Sequence, residues 1–281
     1  MIDILAVLYA DVLNVLPSDP EWPYRDRLIV SKGHGAVGLY AVLGEMGFFP
    51  TEEFETYGQD GARLMGHVSH KVPGIELSTG SLGHGLPVAC GLALGLPKAH
   101  TYCILGDGEL NEGSNWEAIM FAAHHRLGNL TAIVDHNKIQ SLGRTEEVLD
   151  MGSIAKKFAA FGWRVLEIDG HDHDALRQAF EEISSPLGEG RVGVTKPTCI
   201  VAHTVKGKGV DFMEDDLAWH YKSPNDAQLE SALDQVANTN PLPLGRRVRR
   251  EEERNEESSE VDWRSSSGGW GGVMPSVVSH P

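Results

Sequence analysis

The sequence predicts an α/β fold, a mostly parallel sheet with helices on both faces. Three observations carry this expectation. Short apolar runs rich in strand-forming residues occur at 101–105, 130–135, 164–168 and 198–204. Longer amphipathic stretches, at 114–127, 154–161 and 172–183, lie among them. The alternation persists to about residue 235, the pattern of strands joined by crossover helices. In such sheets ligands bind beyond the carboxyl ends of the strands, where loops lead into helices.

The elements follow in chain order. The opening segment MIDILAVLYADVLNVL is apolar but carries Asp3 and Asp11, without a basic leader or a small-residue cleavage site. It reads as an amphipathic helix rather than a signal peptide. The rest of the first hundred residues is more helical and is punctuated by two glycine clusters, around residues 31–38 and 80–95. Glycines at helix entrances let backbone approach a ligand closely. The Met and aromatic residues of 116–121 fit the core face of a helix. From residue 238 to 281 the chain has blocks of like charge followed by Ser and Gly runs, with too few apolar residues to bury. This stretch is expected to be a disordered tail behind a domain of residues 1–237.

Composition narrows the function. With 281 residues there is material for one large domain, and no run of eighteen apolar residues could span a bilayer. The formal charge of −16 argues against a nucleic-acid partner, which needs a basic face. Cys90, Cys103 and Cys199 each sit in an apolar run and read as buried free thiols, suited to a reducing compartment such as the cytoplasm.

The sharpest chemical signal is LGDGELNEGSNWEA followed by IVDHNKIQ. Asp107, between Gly106 and Gly108, ends one predicted strand, and Asn137 ends the next, about thirty residues on. One strand–helix–strand unit separates them, so both side chains fall at the mouth of the sheet. A carboxylate and an amide oxygen there suit a hard cation such as Mg²⁺, which takes its remaining ligands from phosphate and water. The flanking glycines allow a diphosphate against the backbone.

At this point the sequence resembles the thiamine-diphosphate enzymes, whose cofactor motif opens with GDG and closes with Asn. Further segments resemble transketolase in particular: RDRLIVSKGHGAVGLYAVLGEMGFFP, GHVSHKVPGIELSTGSLGHGLPVACGLALG, FGWRVLEIDGHDHDAL and CIVAHTVKGKGVDFMEDDLAWHYKSPND, in that order and covering most of residues 1–235. The resemblance implies a thiamine-diphosphate-binding fold. It implies that Asp107, Asn137 and the backbone carbonyl of Ile139 hold Mg²⁺, and that N–H groups around Gly106 and Gly108 meet the diphosphate. His34, His67 and His220 match three active-site histidines that bind cofactor or sugar and assist proton transfer, work suited to imidazole near neutral pH. Gly80 and Leu82 match a loop against the aminopyrimidine and diphosphate, and Val205 matches an apolar residue under the thiazolium. Glu112 matches an acidic residue at a contact between copies.

His70 and His84 border these loops, whereas His124, His125, His171, His173, His203 and His280 read as structural or exposed. The His171–His173 spacing needs no metal, because helix capping by Asp172 explains that segment.

Transketolases have three domains, and the resemblance covers only the first. It therefore implies the N-terminal subunit of the split two-gene type. A C-terminal transketolase subunit would supply the pyrimidine-binding and C-terminal domains, in a complex holding two copies of each chain with sites between them. Such a pair would move a two-carbon ketol group from a ketose phosphate to an aldose phosphate. Family members carry a further helix and a Ser-Gly-His motif ahead of the MIDILAVLY-like helix, and that histidine has no counterpart here. Two other readings stay open: a two-component acyloin synthase using another donor such as pyruvate, and a non-catalytic partner-binding relic.

Overall fold

The computed structural model describes residues 1–184 and 196–238. The elements in order are α1 (Ile2–Val7), β1 (Arg27–Val30), α2 (Ala36–Glu45), α3 (Gly85–Gly95), β2 (Thr101–Gly106), α4 (Gly113–His124), β3 (Leu130–His136), β4 (Ile139–Gln140), β5 (Gly143–Arg144), α5 (Thr145–Leu149), α6 (Ile154–Ala160), β6 (Arg164–Asp169), α7 (His173–Ser184), β7 (Thr198–His203) and α8 (Asp226–Asn238). The four strands and three helices expected between residues 101 and 204 all form, with ends shifted by three residues or fewer.

Five strands make one sheet in the order β1-β2-β3-β7-β6, and every pairing in it is parallel. The short β4 and β5 pair antiparallel in a separate hairpin. The inner strands are buried along their length, which is why they read as unbroken apolar runs rather than alternating ones. Their side chains still alternate between two cores. Tyr102, Ile104, Ile133 and Ile200 pack with α1, α2 and α7 on one face. Cys103, Leu105, Ala132, Val134 and Cys199 pack with α3, α4 and α6 on the other. The three cysteines are buried free thiols, as expected.

Three findings depart from the sequence reading. β1 is a strand in the segment read as helical, paired residue for residue with β2 from Arg27↔Thr101 to Val30↔Ile104. The opening helix leaves α geometry at Leu8 and continues to Val12 as a π-helical turn. Within residues 116–121, Trp116 stacks towards Phe158 and Phe161, but Met120 and Phe121 lie on the exposed side of α4. Among the described residues no helix is long and apolar enough to cross a membrane. The tail expected from residue 238 lies outside the described residues beyond Asn238, the last residue of α8, and so does His280.

The chain leaves β1 towards α2 on one face and leaves β2 towards α4 on the other. A crevice therefore opens between the carboxyl ends of these neighbouring strands, the place where parallel sheets bind ligands.

Candidate active site at the carboxyl ends of the strands

Register decides what gathers at the crevice. Gly106 pairs with Asp135 across β2 and β3, and Asp135 pairs with Ala202 across β3 and β7. One or two residues further on, Lys32, Asp107, Asn137 and Thr204 therefore emerge side by side. Asp107 is buried; its Oδ1 accepts from the Gly108 N–H at 2.7 Å and its Oδ2 from the Lys138 N–H at 2.5 Å. Burial raises its pKa against the effect of those two bonds. A buried carboxylate still short of compensation is a fitting cation ligand. Asn137 is buried beside it, its Oδ1 accepting from the Ile139 N–H at 3.0 Å. Ile139 is buried in β4.

The chain carries an excess of acid, yet the crevice gathers two lysines among its carboxylates. Lys32 is buried and its Nζ lies 2.6 Å from Asp135 Oδ2, while the Thr204 hydroxyl donates to Asp135 Oδ1 at 2.6 Å. Burial alone would raise the Asp135 carboxyl, but the Lys32 ammonium holds it well below the usual carboxylate range. Lys206 follows the same turn and forms no ion pair among the described residues; burial and then repulsion from Lys32 lower its pKa.

The three predicted histidines come together here. His34 lies in the short 3-10 turn after β1 and His220 in that of Leu217–His220, with ring centroids 5.6 Å apart. Burial, followed by the charges of Lys32, His220, Lys206 and His67, lowers His34 to about 4. His220 is lowered too, by burial and then by Lys206 and Lys32, and its buried Nδ1 has no hydrogen-bond partner. His67 is brought in by stitched loops. The Val68 N–H donates to the Gly33 carbonyl at 3.1 Å, the Thr79 N–H to the Val68 carbonyl at 3.1 Å, and the Thr79 hydroxyl to the Val30 carbonyl at 2.6 Å. Gly33 is required where these loops cross, because a Cβ there would sit 2.3 Å from the Thr79 carbonyl oxygen. At Gly80 a Cβ would meet the His67 ring at 3.0 Å, so the Gly80 loop lies directly against that histidine. Leu82 follows it, half-buried, before α3, and Val205 is partly exposed in the turn after β7. Glu112 is exposed at the start of α4.

Sequence reasoning overlooked several residues here. Glu109 is one. Its buried carboxylate accepts from the Ser31 hydroxyl, from the Gly83 N–H at 2.9 Å and from the Gly106 N–H at 3.1 Å, tying together β1, β2 and the entrance to α3. This departs from the expectation for Gly106 and Gly108: the Gly106 N–H is held by Glu109, and the Gly108 N–H by Asp107. Lys32, Lys206 and Asp135 are the others, and no spacing rule marks them. Lys32 stands inside the quoted SKGHG and Asp135 inside IVDHN, but only the sheet register makes them neighbours.

Of the histidines read as structural or exposed, His124, His125 and His203 are exposed, and His171 and His173 sit where the chain enters α7. Asp172 Oδ1 caps α7, accepting from the Asp174 and Ala175 N–H groups at 2.9 and 3.0 Å. His171 and His173 both contact Asp3.

Comparison with known proteins agrees with this geometry. Residues 1–239 match the family model described as "Transketolase, thiamine diphosphate binding domain". This chain belongs to the transketolase family. It is 44% identical over 240 residues to one of the separately named subunits of the apulose-4-phosphate transketolase of Actinobacillus succinogenes, covering 84% of each chain. It is 42% identical over 223 residues to 6-deoxy-6-sulfo-D-fructose transketolase subunit SqwG of a Clostridium species, covering 78% of each. Against human transketolase it is 39% identical over 225 residues, 78% of this chain but 34% of that protein. The crystal structure of Campylobacter jejuni transketolase superposes with a TM-score of 0.74 at 30% identity, over 83% of this chain and 37% of that one. The chain thus spans about a third of the proteins named simply as transketolase and most of those named as transketolase subunits. It is a transketolase N-terminal subunit of the split type, with the mostly parallel α/β fold of solved transketolases.

Proposed function

We propose that this chain is the thiamine-diphosphate- and Mg²⁺-binding subunit of a two-component transketolase, moving a two-carbon ketol unit from a ketose phosphate to an aldose phosphate. The observation that carries this reading is the convergence of Asp107, Asn137, two lysines and three histidines on one end of the sheet.

Asp107, the Asn137 side chain and the Ile139 carbonyl would hold Mg²⁺, consistent with the uncompensated burial of Asp107. Lys32, Lys206 and the Gly80 backbone would face the diphosphate, and Leu82 and Val205 would give its rings an apolar surface. When bound, thiamine diphosphate would supply the thiazolium that stabilises carbanion character at the donor carbonyl carbon. The protein's task is then to bind, orient and move protons. His34 stays neutral at pH 7, so its ring can accept a hydrogen bond from a sugar hydroxyl. His220 offers an unpartnered Nδ1 beside it, and His67 closes the third side. A partner subunit with the pyrimidine-binding and C-terminal domains would complete the site, and the exposed Glu112 would serve contacts between copies. The buried free thiols support a cytoplasmic setting.

The test mixes the full chain with its partner subunit, thiamine diphosphate and Mg²⁺, and compares xylulose 5-phosphate with pyruvate as donor. Ketol transfer from the sugar phosphate, absent when either chain is assayed by itself, is the expected result. Turnover of pyruvate only, or full activity of Asp107→Ala, contradicts the reading.

A further inference from the structure

The turn that leaves β7 presents Val205 and Lys206, and three tethers hold it. Thr204 is bound through its hydroxyl to Asp135. The Lys206 carbonyl accepts from the Asp215 N–H at 2.9 Å. Between them, the Val205 N–H donates to His171 Nε2 at 2.8 Å. In the third tether a side chain from a different loop holds a backbone amide beside the crevice.

That bond dictates the protonation of His171. A backbone N–H can only donate, so Nε2 is the bare ring nitrogen and the proton sits on Nδ1. Asp3 Oδ2 lies 2.9 Å from Nδ1 and accepts it. The other oxygen of the same carboxylate lies 3.0 Å from His173 Nε2. Asp3 therefore accepts a hydrogen bond from each imidazole and keeps each ring in one tautomer. All three side chains are less than a fifth exposed. The carboxylate comes from α1, the His171 ring from the connection between β6 and α7 and the His173 ring from the first residue of α7, so packing of α1 against α7 sets the distance.

We propose that His171, locked by Asp3 as its Nδ1–H tautomer, is a positioning residue that fixes the Val205 amide and thereby the turn carrying Val205 and Lys206 towards the cofactor. The proposal rests on the thiamine-diphosphate reading for its target but not for its geometry. With the ring gone, or turned to the other tautomer, the Val205 N–H loses its acceptor or meets another N–H. The middle of the turn is then unfixed while both of its ends stay anchored.

Two measurements test it. A long-range ¹H–¹⁵N ring spectrum of the full chain, without cofactor, should report His171 as the Nδ1–H tautomer and the Val205 amide as slow to exchange. An Nε2–H tautomer or a fast Val205 amide overturns the clamp, and this readout needs no variant. Calorimetry of thiamine diphosphate and Mg²⁺ binding to the complex with the partner subunit follows. His171→Ala should weaken binding about threefold, the order expected for the net loss of one hydrogen bond whose donor water can reach. His171→Gln, whose amide oxygen can accept from Val205, should recover most of it. His173→Ala touches Asp3 but not Val205, and should bind as the wild type does. Normal wild-type binding with an unaffected His171→Ala overturns the proposal alone. A wild-type complex that binds no thiamine diphosphate overturns the cofactor reading and, with it, the target assigned to the turn.

Discussion

The two ends of the sheet bury charge in opposite ways. At the amino end of β1, Arg25 and Arg27 flank the Glu76 carboxylate. Their remaining N–H groups go to carbonyls of the 20–26 loop. Asp26 there accepts from the Asn14 and His100 N–H groups at 3.0 and 2.8 Å. At the carboxyl end, Asp107 has backbone donors but no ion pair among the described residues, and Lys206 has no ion pair either. His220 has an unpartnered Nδ1. Burial shifts these groups towards their neutral forms. Charge buried with its partner holds a fold; charge buried without one suits a ligand that brings the missing partner. Lys32 and Asp135 are the exception that divides the carboxyl end, being fully paired within it.

That contrast can be broken by substitution. Lys32→Met takes the nearer cation from the deeply buried Asp135, leaving only the Met1 ammonium at 3.5 Å, and should cost about 3 kcal/mol or more in stability, read by denaturant unfolding. Arg25→Met should cost less, about 2 kcal/mol, because Glu76 is less deeply buried than Asp135 and keeps Arg27 at 3.7 Å. It should leave thiamine diphosphate affinity unchanged. Lys206→Met should do the reverse, weakening that affinity about tenfold, a loss of about 1.4 kcal/mol, while the unfolding midpoint holds or rises. A fall in stability as large as that of Lys32→Met would erase the distinction between paired and unpaired lysines.

The smallest effect concerns pH. His34 has a folded pKa of about 4 against 6.5 for the free side chain. The unfolded chain takes up that proton first, so the contribution of neutral His34 is present above pH 6.5 and is lost as pH falls towards 4. Ring ¹³C shifts of His34 should stay those of the neutral imidazole at about pH 5. His34→Asn should flatten the acid decline in stability over that window.

Much of this was legible in the sequence. Unbroken apolar runs marked β2, β3 and β7 because buried parallel strands need no alternation, and motif order marked Asp107, Asn137 and the three histidines. β1 was not legible. Its four residues follow three charged or aromatic ones and precede a glycine turn, and pairing with β2 makes the strand, not any local pattern. Lys32, Asp135, Glu109 and Lys206 were missed for a related reason. Each looks like a loop or turn residue until register sets it against a partner from a distant segment. Met120 and Phe121 mislead in the other direction, since apolar side chains on a helix do not reveal which face meets the core.

The central claim is that the carboxyl end is a metal-assisted diphosphate site organised by Asp107. The direct measurement is a calorimetric titration of thiamine diphosphate into the complex with the partner subunit, with and without Mg²⁺, for the wild type and Asp107→Ala. Mg²⁺-dependent binding by the wild type, lost in Asp107→Ala with the unfolding midpoint retained, is the predicted result. Binding that ignores Mg²⁺, or that survives unchanged in Asp107→Ala, would contradict it.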